Sequence, residues 1–307
     1  MIVCASRRTD IPAFHAEWLM NRLREGYALV RNPVAKSVVH RVDLSPRNMD
    51  LLVLMTKDPR PMLPFMEELM DMGVNLLFQV TVTPYGRDIE PGVPGKADVA
   101  EAFREVSRAI GRDRVVWRYD PVILNDRLDV GYHRRKFGAI LGELGGYTDR
   151  CVVGFVEMHG KLRHLSDQGT IRGVSPEEAD GIGRALSEAA RGSGIELTSC
   201  CSPHDLSRHG IQPRGCIGRE LMAALGVPSE EPPAPIREGC LCVRNVDLGE
   251  YDTCDHDCVY CYANCGTDVA RKRRRYDPKG EMLHGRLREG DTVVEAAPRR
   301  NSRITDF

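Results

Sequence analysis

Short apolar runs rich in β-branched residues alternate along the chain with longer stretches in which apolar residues have helical spacing. The runs are continuously apolar, which is typical of strands that are covered on both faces of a sheet. Strands that alternate with helices of this length predict parallel βαβ units with right-handed crossovers. The predicted strands are Ile2–Ala5, Leu51–Met55, Leu76–Val82, Val115–Tyr119, Val152–Val156 and Ile195–Thr198.

The predicted helices begin at start signals such as Asp10-Ile11-Pro12 and Ser175-Pro176-Glu177-Glu178, which combine a capping side chain with an early proline. They are Ala13–Arg24, Met62–Met72, Val99–Ile110, Tyr132–Leu144 and Pro176–Ala190. Segment Lys36–Leu44 adds a strand whose place in the sheet the pattern does not fix. We therefore expect an α/β fold with a partial or complete (β/α) barrel of parallel strands.

Polar side chains follow most of the predicted strands. Ligands bind at the carboxyl ends of parallel strands, so this pattern predicts a site at that edge. An alternative interpretation is that loops are polar simply because they contact water. That interpretation explains one or two of the positions, but it explains less well why Arg, Asp, Glu and Thr recur. The segments are Ser6–Asp10, Thr56–Asp58, Thr83–Tyr85, Arg118–Pro121, Glu157–His159 and Ser199–Cys201.

The chain divides by composition into four parts. We expect a barrel domain over 1–226, a Pro-rich linker over 227–239, a cysteine segment over 240–266 that packs on the barrel, and a basic tail over 267–307. The basic run Arg271–Arg275 is typical of a solvated helix face, and contact with a phosphate-bearing substrate is the less favoured alternative.

Charge and cysteine usage narrow the chemistry. With 43 basic and 44 acidic side chains, the balance argues against a generic nucleic-acid or membrane-surface binder. The chain has neither a membrane-spanning apolar segment nor a secretory signal pattern, so we expect a cytoplasmic protein. Disulfides are rare in that compartment, so clustered cysteines indicate metal or redox chemistry. Cys4 and Cys151, which lie inside apolar runs, are interpreted as buried small hydrophobes.

The densest cysteine group is Cys254, Cys258 and Cys261, with C-x3-C-x2-C spacing. Soft thiolates suit iron–sulfur clusters and zinc, but structural zinc sites usually pair two short knuckles across a longer loop. Three thiolates on a cubane cluster would leave one iron open for an external ligand. Cys265 is an alternative fourth ligand that would close the cluster, although its spacing differs from the bacterial ferredoxin run.

The cysteine spacing, with Tyr260 before the last cysteine, resembles the signature of radical S-adenosylmethionine enzymes. The string from Asp247 to Asn264 resembles the uncharacterised bacterial DUF1848 family and the corresponding part of spore photoproduct lyase-like proteins. Ala5–Pro12, Thr83–Gly86 and Trp117–Pro121 resemble the same DUF1848 family, so the resemblance spans nearly the whole chain.

The resemblance implies a [4Fe–4S] cluster on Cys254, Cys258 and Cys261 that reductively cleaves S-adenosylmethionine. The resulting 5′-deoxyadenosyl radical would take a hydrogen atom from the substrate, while the protein positions the reactants and excludes water. A flavodoxin or ferredoxin would supply the electron. The candidates for substrate contact are Arg118, Asp120, Glu157 and His159. DNA photoproduct repair, methyl transfer and small-molecule rearrangement all fit this chemistry.

Radical S-adenosylmethionine proteins usually carry the cysteine motif near the N-terminus, whereas here it follows all the predicted strands. Circular permutation would explain this order. Asp247–Gly249 would then end near the first-strand position of a radical S-adenosylmethionine barrel, and Ile2–Ala5 would occupy the next.

In that arrangement, Ser6–Asp10 stands where the methionine-binding segment of those enzymes lies. Arg7 or Arg8 would meet the methionine carboxylate, Asp10 its amino group, and Tyr260 would pack against adenine. The alternative is that both arginines are salt-bridge partners of Asp10 and Glu17.

A second cysteine set combines Cys200, Cys216, Cys240 and Cys242, with Cys201 as the spare thiol. Four thiolates from three segments suit a second iron–sulfur cluster, or a zinc ion that pins the linker to the barrel. Cys200 follows a strand, so such a centre would face the predicted site.

Two other functional classes remain open. The chain could be an iron–sulfur protein for electron transfer or redox sensing, for which a large βα domain with polar strand ends is unnecessary. It could also be a zinc-stabilised nucleic-acid-processing protein that uses Arg271–Arg275, against which the near-neutral charge counts.

Overall fold

A sheet of eight parallel strands forms the centre of the part of the chain that the structure describes. The computed structural model describes residues 1–158, 160–228, 234, 235, 237–264, 272 and 275–296. Its strands are β1 (Ile2–Ala5), β2 (Tyr27–Arg31), β3 (Val38–Asp43), β4 (Leu51–Thr56), β5 (Leu76–Thr81), β6 (Val115–Val122), β7 (Arg150–Phe155), β8 (Glu196–Ser199), β9 (Gln212–Pro213), β10 (Val246–Asp247) and β11 (Thr292–Glu295). The order across the large sheet is β10-β1-β4-β5-β6-β7-β8-β9.

The helices lie mainly in the connections between these strands. They are α1 (Ile11–Phe14), α2 (Ala16–Glu25), α3 (Met66–Asp71), α4 (Lys96–Ile110), α5 (Val130–Leu144), α6 (Arg163–Asp167), α7 (Pro176–Ala190) and α8 (Arg219–Ala224). Helix α7 begins at the predicted start signal, which forms a capping box: Ser175 Oγ accepts from the Glu178 amide and the Glu178 carboxylate accepts from the Ser175 amide.

Alternating residues of each strand enter two different hydrophobic cores, one on each face of the sheet. In β1, Val3 and Ala5 join the core made with the long helices, whereas Ile2 and Cys4 join a second core. The second core includes Leu221 of α8 and cysteines that come after β8. Burial on both faces explains why the strands are continuously apolar in sequence.

The predicted α/β class is confirmed, since parallel strands with flanking helices form the fold. The predicted strands are all present, each within a few residues of its expected bounds. Closure into a full barrel is not observed: within the described residues, strand pairing ends at β10 on one side and at β9 on the other.

The short strand β10 pairs in parallel with β1, with Val246 opposite Val3 and Asp247 opposite Cys4. The predicted adjacency of Asp247–Gly249 and Ile2–Ala5 is therefore confirmed. Leu248 continues the contact, because its amide donates to the carbonyl of Cys4 at 2.9 Å. The segment that carries Cys254 consequently leaves the sheet at its carboxyl edge.

A second sheet contains β2, β3 and β11, which gives the predicted strand at Lys36–Leu44 its place. Strand β11 comes from the region expected to be a basic tail, and it pairs in parallel with β3. Trp18 of α2 secures the chain before β11, since its indole N–H donates to the Gly280 carbonyl at 2.9 Å.

Several predictions fall on residues that the structure does not describe. His159, Cys265, most of Arg271–Arg275 and much of the linker over 227–239 lie outside the described residues. Among the residues that are described, no helix is long and apolar enough to cross a membrane.

The aromatic stack between β6 and α5 provides a test of the helix-covered core. Trp117 and Phe137 are fully buried, with their ring centroids 4.7 Å apart. Because truncation leaves a cavity, we expect Phe137→Ala to lower the free energy of unfolding by about 3–5 kcal/mol. Urea unfolding would measure this loss. The exposed control Val34→Ala should stay within about 0.5 kcal/mol of the parent, and an equal effect of both changes would contradict the assignment.

Candidate functional site

The cysteine loop, residues 248–264, follows β10 and packs over the carboxyl ends of neighbouring strands. Two backbone hydrogen bonds join it to the connection after β5: Gly92 donates to the His256 carbonyl at 2.9 Å, and Val259 donates to the Ile89 carbonyl at 3.0 Å. A Cβ atom at Gly92 would overlap the Asp255 carbonyl oxygen, so this close approach requires glycine. The loop position is thus fixed by backbone contacts.

Glu90 is the buried anion beneath the cysteine loop. Its carboxylate accepts hydrogen bonds from Lys57 Nζ at 2.7 Å, Lys96 Nζ at 2.5 Å and Thr83 Oγ1 at 2.7 Å. The Tyr260 hydroxyl also donates to it at 2.5 Å. One side chain thereby connects the ends of β4 and β5, the start of α4 and the cysteine loop.

The opposite charges of this cluster stabilise one another's ionised forms. Burial acts to raise the pKa of Glu90, but Lys57 and Lys96 outweigh burial and lower that pKa to about 2. Burial acts to lower the pKa of Lys57, but Glu90 and then Cys258 outweigh it and raise that pKa. Sequence analysis missed Glu90, whose only signal was an acidic residue within a loop rich in Pro and Gly.

Asp10 holds the cysteine loop from the β1 side. One carboxylate oxygen caps α1 by accepting from the Ala13 amide at 3.0 Å. The other accepts from the Lys57 amide at 2.7 Å and lies 2.8 Å from His256 Nε2. Both oxygens of the residue predicted to meet the methionine amino group are therefore engaged within the protein.

Arg7 and Arg8 share Asp247 as their acidic partner, rather than Asp10 or Glu17. Arg7 Nε lies 3.1 Å from Asp247 Oδ2, and Arg8 Nε lies 3.4 Å from Asp247 Oδ1. The Ser6 hydroxyl accepts from the Arg8 amide at 3.0 Å within the turn after β1. Arg7 Nη1 is buried and has no hydrogen-bond partner within the described residues.

The cysteine triad lies close to these groups. Cys258 is buried, while Cys254 and Cys261 are partly exposed. Burial, then Asp10 and Cys261, raise the pKa of Cys254, whereas burial raises the pKa of Cys258 to about 12 against the opposing effect of Lys57. The described residues contain no group of three or more His, Cys, Asp or Glu side chains arranged to hold a single metal ion.

The predicted substrate-contact residues fall into two neighbouring pairs. Arg118 forms an ion pair with Asp120 and donates to Gln79 Oε1 at 2.9 Å. Glu157 is exposed and forms an ion pair with Arg237, which sequence analysis did not single out. Asp120 raises the pKa of both Lys57 and Arg237, so these charges belong to one polar surface.

The second predicted cysteine set is brought together. The sulfur atoms of Cys216 and Cys242 lie 3.5 Å apart, and those of Cys200 and Cys201 lie 3.8 Å apart. Cys240 contacts Cys242 and Cys201, and Cys200 contacts Cys216.

The buried Glu90 cluster predicts a stability effect that depends on pH. Glu90→Gln leaves two lysines without their anion, so we expect a loss of about 3 kcal/mol in the free energy of unfolding at neutral pH. The native pKa of about 2 lies below the ordinary value of 4.5. The stabilisation is therefore present above pH 4.5 and is lost as the pH falls towards 2.

Urea unfolding of the parent and the variant across this pH range would measure that convergence. Glu68→Gln is the matched control, because Glu68 pairs with Arg24 at the exposed surface and its loss should leave stability nearly unchanged. A Glu90→Gln deficit that stayed constant down to pH 2 would contradict the charged cluster.

Comparison with known proteins gives the family of the chain but no annotated relative. No curated protein matches it. The matching family model carries the description "Domain of unknown function (DUF1848)" and covers residues 2–263, which include β1, the polar strand ends and the cysteine triad. The chain therefore belongs to the DUF1848 family.

Proposed function

We propose that this protein is a radical S-adenosylmethionine enzyme. Cys254, Cys258 and Cys261 would bind a [4Fe–4S] cluster that has one iron open to S-adenosylmethionine. When bound, this cluster supplies the electron that splits S-adenosylmethionine into methionine and a 5′-deoxyadenosyl radical.

The position of the cysteine loop carries the proposal. The loop follows β10, the strand beside β1, and it packs at the carboxyl edge of a parallel sheet. Ligands of parallel α/β proteins bind at this edge. In a circularly permuted radical S-adenosylmethionine barrel, β10, the cysteine loop and β1 would follow one another in this order. The side-by-side position of β10 and β1 agrees with that arrangement.

The chemistry of the donor set fits the cluster. Three cysteines within eight residues provide soft sulfur ligands, and Cys258 and Cys261 lie close enough to Cys254 to raise its pKa. Lys57 lies near Cys258 and favours its thiolate form, which is the form that binds metal. Cys265, the alternative fourth ligand, is outside the described residues.

Arg7 is the residue best suited to bind the methionine carboxylate. Its buried Nη1 has no hydrogen-bond partner among the residues that the structure describes, and its Nε is held by Asp247, so the guanidinium is oriented before a ligand arrives. Asp247 positions Arg7, and Arg8 pairs with the other oxygen of the same carboxylate. Asp10 and Tyr260 hold the cysteine loop in place through His256 and Glu90, respectively, and the face of Tyr260 remains our proposed contact for adenine.

Arg118, Asp120 and Glu157 remain the proposed substrate contacts. The Arg118–Asp120 pair would hold a polar substrate group, because a partly buried ion pair offers both a donor and an acceptor.

S-adenosylmethionine cleavage provides the direct test. The protein would be purified anaerobically, reconstituted with iron and sulfide, reduced and mixed with S-adenosylmethionine. We expect 5′-deoxyadenosine to form, and Cys258→Ala to abolish it because one cluster ligand is lost. Cys151→Ala, which changes a buried cysteine of the helix-covered core, should retain cleavage.

Two results would overturn the proposal. Stoichiometric zinc without charge-transfer absorbance or cleavage would favour a zinc-stabilised protein. A reducible cluster that fails to cleave S-adenosylmethionine would favour electron transfer or redox sensing.

Arg7 Nη1 has no hydrogen-bond partner among the described residues, so we expect Arg7→Lys and Arg8→Lys to have unequal effects on S-adenosylmethionine binding. Arg7→Lys should weaken S-adenosylmethionine binding about tenfold, since the loss of one hydrogen bond to a charged group costs at least about 1.4 kcal/mol. Arg8→Lys is the matched control, because Arg8 shares the same acidic partner. Equilibrium binding to the reconstituted protein would measure both constants, and equal weakening would contradict a special role for Arg7.

A further inference from the structure

Five cysteines outside the triad form a closed set of contacts, which we name the thiol ring: Cys200, Cys201, Cys216, Cys240 and Cys242. Each of these thiols contacts two others. The sulfur atoms of Cys216 and Cys242 lie 3.5 Å apart. Its members come from three separate segments of the chain, so the contacts are products of the fold.

The backbone around the ring is built to bring these segments together. A Cβ atom at Gly215 would overlap the Leu241 carbonyl oxygen, so the segments that carry Cys216 and Cys242 touch through their main chains. The Val243 amide donates to the Ile217 carbonyl at 2.9 Å, and this hydrogen bond stabilises the contact between the two segments.

One sulfur also receives a backbone hydrogen bond. The Ile217 amide donates to Cys242 Sγ at 3.4 Å. Hydrogen bonds of this kind orient and stabilise sulfur ligands in metal sites.

The two cysteines of the strands lie outside the thiol ring. Cys151 packs within the helix-covered core, and Cys4 Sγ lies 3.8 Å from Met55 Sδ.

Cationic side chains surround the thiol ring. Arg118 lies near Cys200 and Cys216, and Arg237 contacts Cys201. Arg118 is held by Gln79, whose amide also donates to the Cys216 carbonyl. A centre with four thiolates carries net negative charge, which these guanidinium groups would balance within the protein interior.

We propose that the thiol ring binds a second metal centre, held by the thiolates of Cys200, Cys216, Cys240 and Cys242. All four of these cysteines are buried. Cys201 is partly exposed and contacts Arg237, which pairs with Glu157, so its thiol faces the polar surface as the spare member.

Thiolates in this number select an iron–sulfur cluster or zinc. The described residues contain no group already arranged to hold a single metal ion, so the proposed binding requires the thiols to move. An iron–sulfur cluster is the occupant that we propose, and zinc is the alternative outcome of the metal analysis. This centre is independent of S-adenosylmethionine cleavage.

Metal analysis of a variant without the triad separates the two sites. Cys254→Ser, Cys258→Ser and Cys261→Ser are combined in the full chain, which is purified anaerobically and reconstituted with iron and sulfide. We expect about four iron atoms and matching sulfide per chain for a cubane cluster. About one zinc ion per purified chain would support the same thiolate site with the other metal. A folded variant that binds neither metal would overturn the proposal.

Two further single changes in that background test the ligands. Cys216→Ser should remove the remaining metal, whereas Cys201→Ser should retain it. Retention by a folded Cys216→Ser variant would overturn the assignment, as would loss on Cys201→Ser alone.

A measurement that needs no substitution in the ring covers the case in which Cys216→Ser fails to fold. In the triad-free variant, loading with iron and sulfide, or with zinc, should raise the free energy of unfolding, because a metal that binds the folded protein stabilises it. No stabilisation by either metal would contradict the proposed centre.

Discussion

The parallel contact between β10 and β1 is the constraint on which the candidate site depends. It places residues near position 247 beside residues near position 4, and it is reinforced by Asp247, which accepts from Arg7 and Arg8. Two strand residues alone give few ladder hydrogen bonds. The buried ion pairs therefore determine on which side of β1 the strand β10 lies. The cysteine loop follows β10 directly, so the same ion pairs determine its position.

The two buried charge clusters specify geometry more than they add stability. Removing Asp247 or Glu90 from water costs several kcal/mol, which the cationic partners approximately repay. In the folded protein, however, each of these carboxylates has partners from separate parts of the chain. A different packing of those parts would therefore leave a buried charge unpaired. The loop between them is held at two points, by Asp10 on one side and by Glu90 on the other.

The strands and the long helices could be predicted because their patterns are local. Ala13–Arg24 instead divides at His15, whose backbone leaves the helical region, and Met62–Met72 begins as a 3₁₀ turn that contains Pro64. Strands β10 and β11 pair with β1 and β3, which lie far away in sequence, so no local pattern predicts those pairings. The thiol ring was anticipated by residue type, whereas Glu90 and Arg237 become visible only when the loops are folded.

The late position of the proposed metal ligands in the chain also sets an order of assembly. The chain emerges from the ribosome N-terminus first, so β1 through β8 can collapse before Cys240, Cys242 and the cysteine loop have been made. Until β10 arrives, the edge of β1 is bare, and neither proposed centre has its full set of ligands. Filling of either proposed centre would therefore follow the synthesis of β10 and the cysteine loop, when the strands from β1 to β8 have already been made.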